Sequence, residues 1–137
     1  MEKRLTIIKI IMGLTIFYGF IGAFIAHWFF PDFYFLKLME HSQYQDSMVK
    51  LIGIYGIFLS LLAFFVIKSP LKNRDIVISI IVLGFSMGAS FIFFILFKDF
   101  PNSQYINVIL LFILSIMLLA VYPWEAAKDF RSASNRE

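Results

Sequence analysis

The chain contains no cysteine. That rules out a structural disulfide, a thiolate zinc or iron–sulfur site, and thiol–disulfide redox catalysis. Charge is also scarce, at 15% of 137 residues, against about a quarter in a soluble domain. No run of Lys and Arg interleaved with polar residues is present, so the composition does not point to a nucleic-acid partner. Neither a P-loop nor a GxSxG or HExxH motif occurs, and with them go the usual signatures of nucleotide, acyl-transfer and zincin chemistry.

What remains is apolar. Hydrophobic residues make up 61% of the chain and the mean hydropathy is +0.85, which places it in the membrane class as a single domain over 1–137. Met1-Glu2-Lys3-Arg4 followed by an apolar run resembles the start of a signal peptide. The run is about twice the usual length and no A-x-A-like site closes it, so it reads as an uncleaved first span.

Crossing a hydrocarbon core of about 30 Å takes about 20 apolar residues. Four stretches qualify, over 5–30, 49–67, 76–97 and 105–122. Lys9 lies near the start of the first, where its stem can snorkel. Backbone groups in lipid must be satisfied internally and no period-2 alternation is visible, so the spans read as helices. The expected fold is all-α, a four-transmembrane-helix bundle. Pro70 and Pro101 break two connections, with Asn73, Asp75, Asn102 and Ser103 as candidate helix N-caps.

Lys and Arg set the expected orientation. Nine (Lys3, Arg4, Lys9, Lys68, Lys72, Arg74, Lys128, Arg131, Arg136) fall on one side and three (Lys37, Lys50, Lys98) on the other. Both termini are therefore expected on the cytoplasmic side of a cell membrane. Beyond Pro123, the residues Trp124, Ala127 and Arg131 share one helical face; an amphipathic surface helix and a fraying tail are equally good readings. Residues 132–137 are expected to be disordered. His41-Ser42-Gln43-Tyr44 and Asn102-Ser103-Gln104-Tyr105 echo one another ahead of the second and fourth spans, a likeness read as coincidence or shared interfacial preference.

Small residues mark where helices meet in lipid. The first span carries Thr15, Gly19, Gly22, Ala23 and Ala26, the second Gly53, Gly56, Ser60 and Ala63, and the third a GxxxG at Gly84 and Gly88. The fourth has few, so the first three are expected to form the close-packed core, with the fourth lying against them. Packing within the chain is preferred for the GxxxG over a homodimer.

No ionisable group sits near the midplane, which argues against a proton-coupled pump. Thr15, Tyr18, Tyr55, Ser60, Ser79, Ser86, Ser90 and Ser115 are the spans' polar groups, most of them expected to bond within or between helices. Tyr18 and Tyr55, with His27, Trp28 and Tyr34, form the candidate set for binding a lipid or quinone headgroup. His27, His41 and Glu40, near Asp32 and Asp46, offer a weak metal-ligand pattern; the preferred reading is an interfacial histidine, with no metal and no cofactor. Pro31-Asp32 can open a short interfacial helix in the first outer loop. Its apolar face would carry Phe33, Leu36 and Met39 beside Tyr34 and Leu38, with Lys37, Glu40 and His41 in water. Such a helix would cover helix ends or act as a lid.

The basic N-terminus, the Gly-dotted first helix ending at Phe29-Phe30-Pro31, the Lys50-Leu51-Ile52-Gly53-Ile54-Tyr55-Gly56 opening of the second span and the basic Pro70 turn resemble the BphX-like and DoxX-like group of small bacterial membrane proteins. The resemblance implies a four-helix bundle of a cell inner membrane. BphX-like members have no established activity, and some DoxX-like members are linked to membrane redox complexes. No functional residue is carried over. The resulting expectation is a non-enzymatic membrane protein that binds a lipophilic small molecule or serves as a partner subunit. The alternatives are an oligomeric channel or transporter with paths through Ser60, Ser86 and Ser90, and a metal-dependent membrane enzyme.

Overall fold

A computed structural model describes residues 1–134. Among them no strand occurs, and four helices are long and apolar enough to cross a membrane. These are α1 (Glu2–Phe29), α3 (Asp46–Lys68), α4 (Arg74–Phe97) and α5 (Asn102–Val121). A short α2 (Phe33–Leu38) lies in the first connection, and α6 (Trp124–Ser134) follows α5. The helices α1, α3 and α4 begin a few residues before the apolar runs. Glu2, Asp46 and Asp75 occupy their first turns, where a carboxylate meets the positive end of the helix dipole.

The caps differ from those expected. Asn73 does not cap α4 with its side chain. Its Nδ2 reaches back to the Phe65 and Ser69 carbonyls at 2.8 and 3.1 Å, adding a second donor to acceptors that already take the Ser69 and Asn73 amides. Asp75 pairs with Arg131 of α6, and the Ser103 hydroxyl donates to the Met39 carbonyl at 2.6 Å. Each side chain was claimed by a neighbouring segment.

Around the bundle the helices follow the order α1, α3, α4, α5, with α1 closing on α5. The most extensive pairings are α1 with α3 and α4 with α5. The arrangement is two pairs, which corrects the expected core of three with a peripheral fourth. At the first pairing the α1 and α3 backbones meet at Gly19 and Gly56. At the second, Gly84 sits against the Ser115 side chain and Gly88 against the Phe112 ring, both on α5. The GxxxG face is thus filled within the chain. α5 needs no small residues of its own because α4 supplies both hollows.

The apolar core lies at one end of the bundle. Ile8, Ile11 and Met12 of α1 pack with Ala63 and Val66 of α3, Val77, Ile80 and Ile81 of α4, Leu118 of α5 and Tyr122 just after it. Helix α6 closes this end with the face that carries Trp124, Ala127 and Arg131. Ala127 is fully buried, and the Tyr122 hydroxyl donates to the Pro70 carbonyl at 2.8 Å. Residues 132–134 of the tail expected to be disordered continue this helix, and 135–137 lie outside the described residues.

Two glycines in α1 separate propensity from packing. A Cβ on Gly13 meets nothing within 4 Å, whereas on Gly19 it falls 2.7 Å from both the Gly56 carbonyl oxygen and Ser60 Oγ. Gly13→Ala is expected to raise the melting temperature in mild detergent, since removing a mid-helix glycine gains about 0.5–1 kcal/mol. Gly19→Ala is expected to lower it. Shifts of the same sign for both would show that the α1–α3 approach is looser than described.

A candidate site beneath the first connection

The opposite end of the bundle is built differently. Over Tyr18–Ile25 the first helix adopts π-helical spacing, a widened turn that is frequent at functional sites. Gly19 anchors this segment against Gly56. Gly22 has only the Tyr18 ring, at 3.7 Å, near its Cβ position. The widened turn stands off from α4, and a cavity of about 330 Å³ opens between it, α3 and α4.

Tyr18, His27, Tyr34 and Tyr55 all line this cavity, together with Leu59, Leu83, Met87 and Phe91. The fifth candidate, Trp28, does not. Its indole N–H donates to the Lys50 carbonyl at 2.9 Å, and its ring covers Gly53. Of the expected packing positions, Gly19, Ala23, Gly53, Gly56, Gly84 and Gly88 stand at close contacts, and Ala26 is half-buried. Gly22 lines the cavity instead. Ile52, Tyr55, Phe58 and Leu83 line the cavity and are exposed, so its mouth lies on the flank between α3 and α4.

Helix α2 forms the lid, but not with the face expected. Tyr34, Phe35 and Met39 turn inward, while Phe33, Leu36 and Leu38 are exposed. The cause is again π-helical spacing, with the Met39 amide donating to the Tyr34 carbonyl at 2.9 Å. Glu40 then takes a positive φ of 57° and reverses the chain. That reversal carries His41 inward rather than to water.

His41 begins a chain of polar contacts leading to the cavity. Gln104 and Asn107 are 2% and 3% exposed. The Gln104 amide meets His41 Nε2 at 2.8 Å, and its Oε1 accepts from Asn107 Nδ2 at 2.6 Å. Asn107 Nδ2 also donates to the Tyr34 hydroxyl at 3.3 Å, and its Oδ1 accepts from the Tyr18 hydroxyl at 3.0 Å. The two echoed tetrapeptides therefore touch, through His41 of one and Gln104 of the other. The sequence marks Gln104 only as part of that echo, and Asn107 not at all. Two amides three residues apart at the head of an apolar helix were the available signal.

The metal-ligand pattern comes apart. The Phe35 ring packs edge-on to His27 at 5.0 Å and to His41 at 5.5 Å, between centroids. Glu40 is exposed, and among the described residues no group of three or more His, Asp and Glu side chains converges on one point. The serines of the expected conduction path also separate: Ser60 is buried at the α1–α3 contact, while Ser86 and Ser90 are exposed.

Burial raises the Tyr34 phenol, while its bond from Asn107 pulls the other way. At the rim, the Tyr44 hydroxyl donates to Asp32 Oδ1 and ties the ends of the connection together. This bond and the adjacent carboxylate push Tyr44 up to about 12. Burial lowers His41 below its ordinary 6.5, because among the rings of Phe35 and Phe100 the charged imidazole loses hydration. No family model, curated protein or solved structure matches this chain.

His41 gives the lid a pH dependence of definite sign. With Gln104 Oε1 engaged by Asn107, the Gln104 amide donates to His41 Nε2 and requires the neutral ring. The lowered folded value means that the unfolded chain binds the proton more readily. The stabilisation is complete above 6.5 and is lost as pH falls through the folded value. Melting temperature in detergent is expected to drop from pH 7.5 to pH 5, with His41→Gln making the drop smaller. An unchanged slope in the variant would remove His41 as the cause.

Proposed function

We propose that this chain is an integral membrane protein that holds a lipophilic small molecule in the cavity beneath its first connection. The observation that carries this reading is the cavity itself: about 330 Å³, walled by apolar and aromatic side chains, with a few convergent polar groups. Ligand sites typically have this size and make-up. Its mouth lies between two helices apolar enough to cross a bilayer, so entry would be sideways from the hydrocarbon. No serine, lysine or carboxylate lines the cavity beside His27, which supports binding rather than catalysis.

Gly22→Leu tests the cavity directly. The position lines it and has no close neighbour but the Tyr18 ring, so the larger side chain fills space without parting α1 from α3. Native mass spectrometry of the wild type is expected to show a retained lipophile that the variant lacks at equal folded yield. A wild type that carries nothing, or a variant that carries the same load, would count against the reading.

We further propose that both termini face the cytoplasm, on the nine-to-three bias of Lys and Arg. The absence of cysteine makes the test clean. Gln43→Cys is expected to react with a membrane-impermeant maleimide in intact cells, and Lys72→Cys only after permeabilisation. The reverse pattern would invert the topology.

A further inference from the structure

The hydrogen-bonding groups inside the cavity narrow what it can hold. The following rests on the binding reading above and deepens it. Tyr18 has spent its hydrogen on Asn107 Oδ1. Tyr34 accepts from Asn107 through its oxygen, and its own hydrogen is directed at no acceptor among the described residues. His27 is 5% exposed, and its Nδ1 is buried without a hydrogen-bond partner. The two rings lie 4.6 Å apart between centroids and line the same cavity. A phenol hydrogen and an imidazole edge thus wait side by side in an apolar space.

The imidazole edge has a definite character. Backbone carbonyls of Ala23 and Gly22 lie close to the imidazole, and a carbonyl can only accept. Assigning the ring proton to Nδ1, the nitrogen buried inside the protein, turns a donor toward such acceptors and leaves Nε2 as the acceptor for the cavity. The site therefore presents one donor, Tyr34 O–H, and one acceptor, His27 Nε2. No Lys, Arg, Asp or Glu lines it, so an ionised headgroup would be buried without a counter-charge.

A single hydroxyl meets this pair. Its hydrogen goes to His27 Nε2 and its oxygen accepts from Tyr34. A carbonyl or ether answers the Tyr34 half alone and leaves Nε2 unpaired, an asymmetry by which sites built for a hydroxyl reject its analogues. We propose that the cavity selects a neutral, lipid-soluble molecule bearing a hydroxyl group, an alcohol or a phenol, over its carbonyl and ether counterparts.

The test uses the full chain in mild detergent with three probes: 2-naphthol, its methyl ether 2-methoxynaphthalene, and the saturated alcohol 2-decalol. Affinity is read by titration against intrinsic Trp fluorescence or by the shift in melting temperature. The wild type is expected to bind the hydroxyl probes at least about tenfold more tightly than the ether. His27→Phe is expected to abolish that preference while still binding the ether, and Tyr34→Phe to weaken all three. Should His27→Phe fail to fold, His27→Gln, which keeps an acceptor, is expected to retain part of the preference. Equal affinity of the wild type for naphthol and its ether would overturn the hydroxyl assignment and leave the cavity reading standing. Failure of every probe to bind, with no lipophile retained by the wild type, would overturn both. Tighter binding of naphthol than decalol assigns the phenol source, and the reverse assigns the alcohol.

Discussion

The backbone approach of α1 and α3 at Gly19 and Gly56 is the constraint from which the rest of the bundle follows. In a bilayer the tails are as apolar as leucine, so helices gain little from hiding side chains from one another. Close packing and interhelical hydrogen bonds hold them instead. With no side chain at either glycine, the single Ser60 hydroxyl hydrogen can be shared between the Gly56 carbonyl of its own helix and the Ile16 carbonyl across the contact, at 2.8 and 3.3 Å. Below this point α1 runs as a regular helix and its Ile8, Ile11 and Met12 enter the core. From Tyr18 onward the turn widens, and the packing that fills one end of the bundle does not continue into the other.

The open end is held by polar bonds where the closed end is held by apolar contact. Gln104 and Asn107 would be costly buried groups if left alone, since a low dielectric penalises every unpaired amide. Their bonds to His41, Tyr34 and Tyr18 satisfy them and pin the connection across α1 and α5 in one arrangement. Burial of His41 adds a bias toward the neutral ring that the Gln104 amide requires. The lid is therefore positioned by side chains from three separate parts of the chain, and its own six residues need little intrinsic helix stability.

The sequence made the coarse fold legible because the bilayer imposes a coarse rule: about 20 apolar residues per crossing. The four spans and the inward role of Gly84 and Gly88 follow from that rule and from small-residue packing. The pairing of helices did not, because Gly84 and Gly88 reveal a hollow without revealing which helix fills it. Asn73 was legible as a helix-end residue but not as one serving the helix before it. An ordinary helical period places His41 in water. A π-type turn and one left-handed residue at Glu40 shift the register, and neither has a signature in residue type. Tyr18, His27, Tyr34 and Tyr55 stand out by their chemistry, yet their meeting in one cavity depends on the widened turn of α1 over Tyr18–Ile25, which residue type alone does not signal.

An apolar cavity of this size is a burden to a fold that leaves it empty. A space of about 330 Å³ walled by apolar side chains forfeits the dispersion contacts that neighbouring atoms would otherwise supply. The lateral mouth changes that balance, because an acyl chain from the surrounding bilayer can enter and restore the lost contacts along Leu59, Leu83 and Met87. It does nothing for His27 and Tyr34, whose unused acceptor and donor gain nothing from a hydrocarbon tail. The apolar walls account for occupancy by almost any lipophile. Discrimination among lipophiles must come from the polar edge that the π-helical turn and the lid bring together.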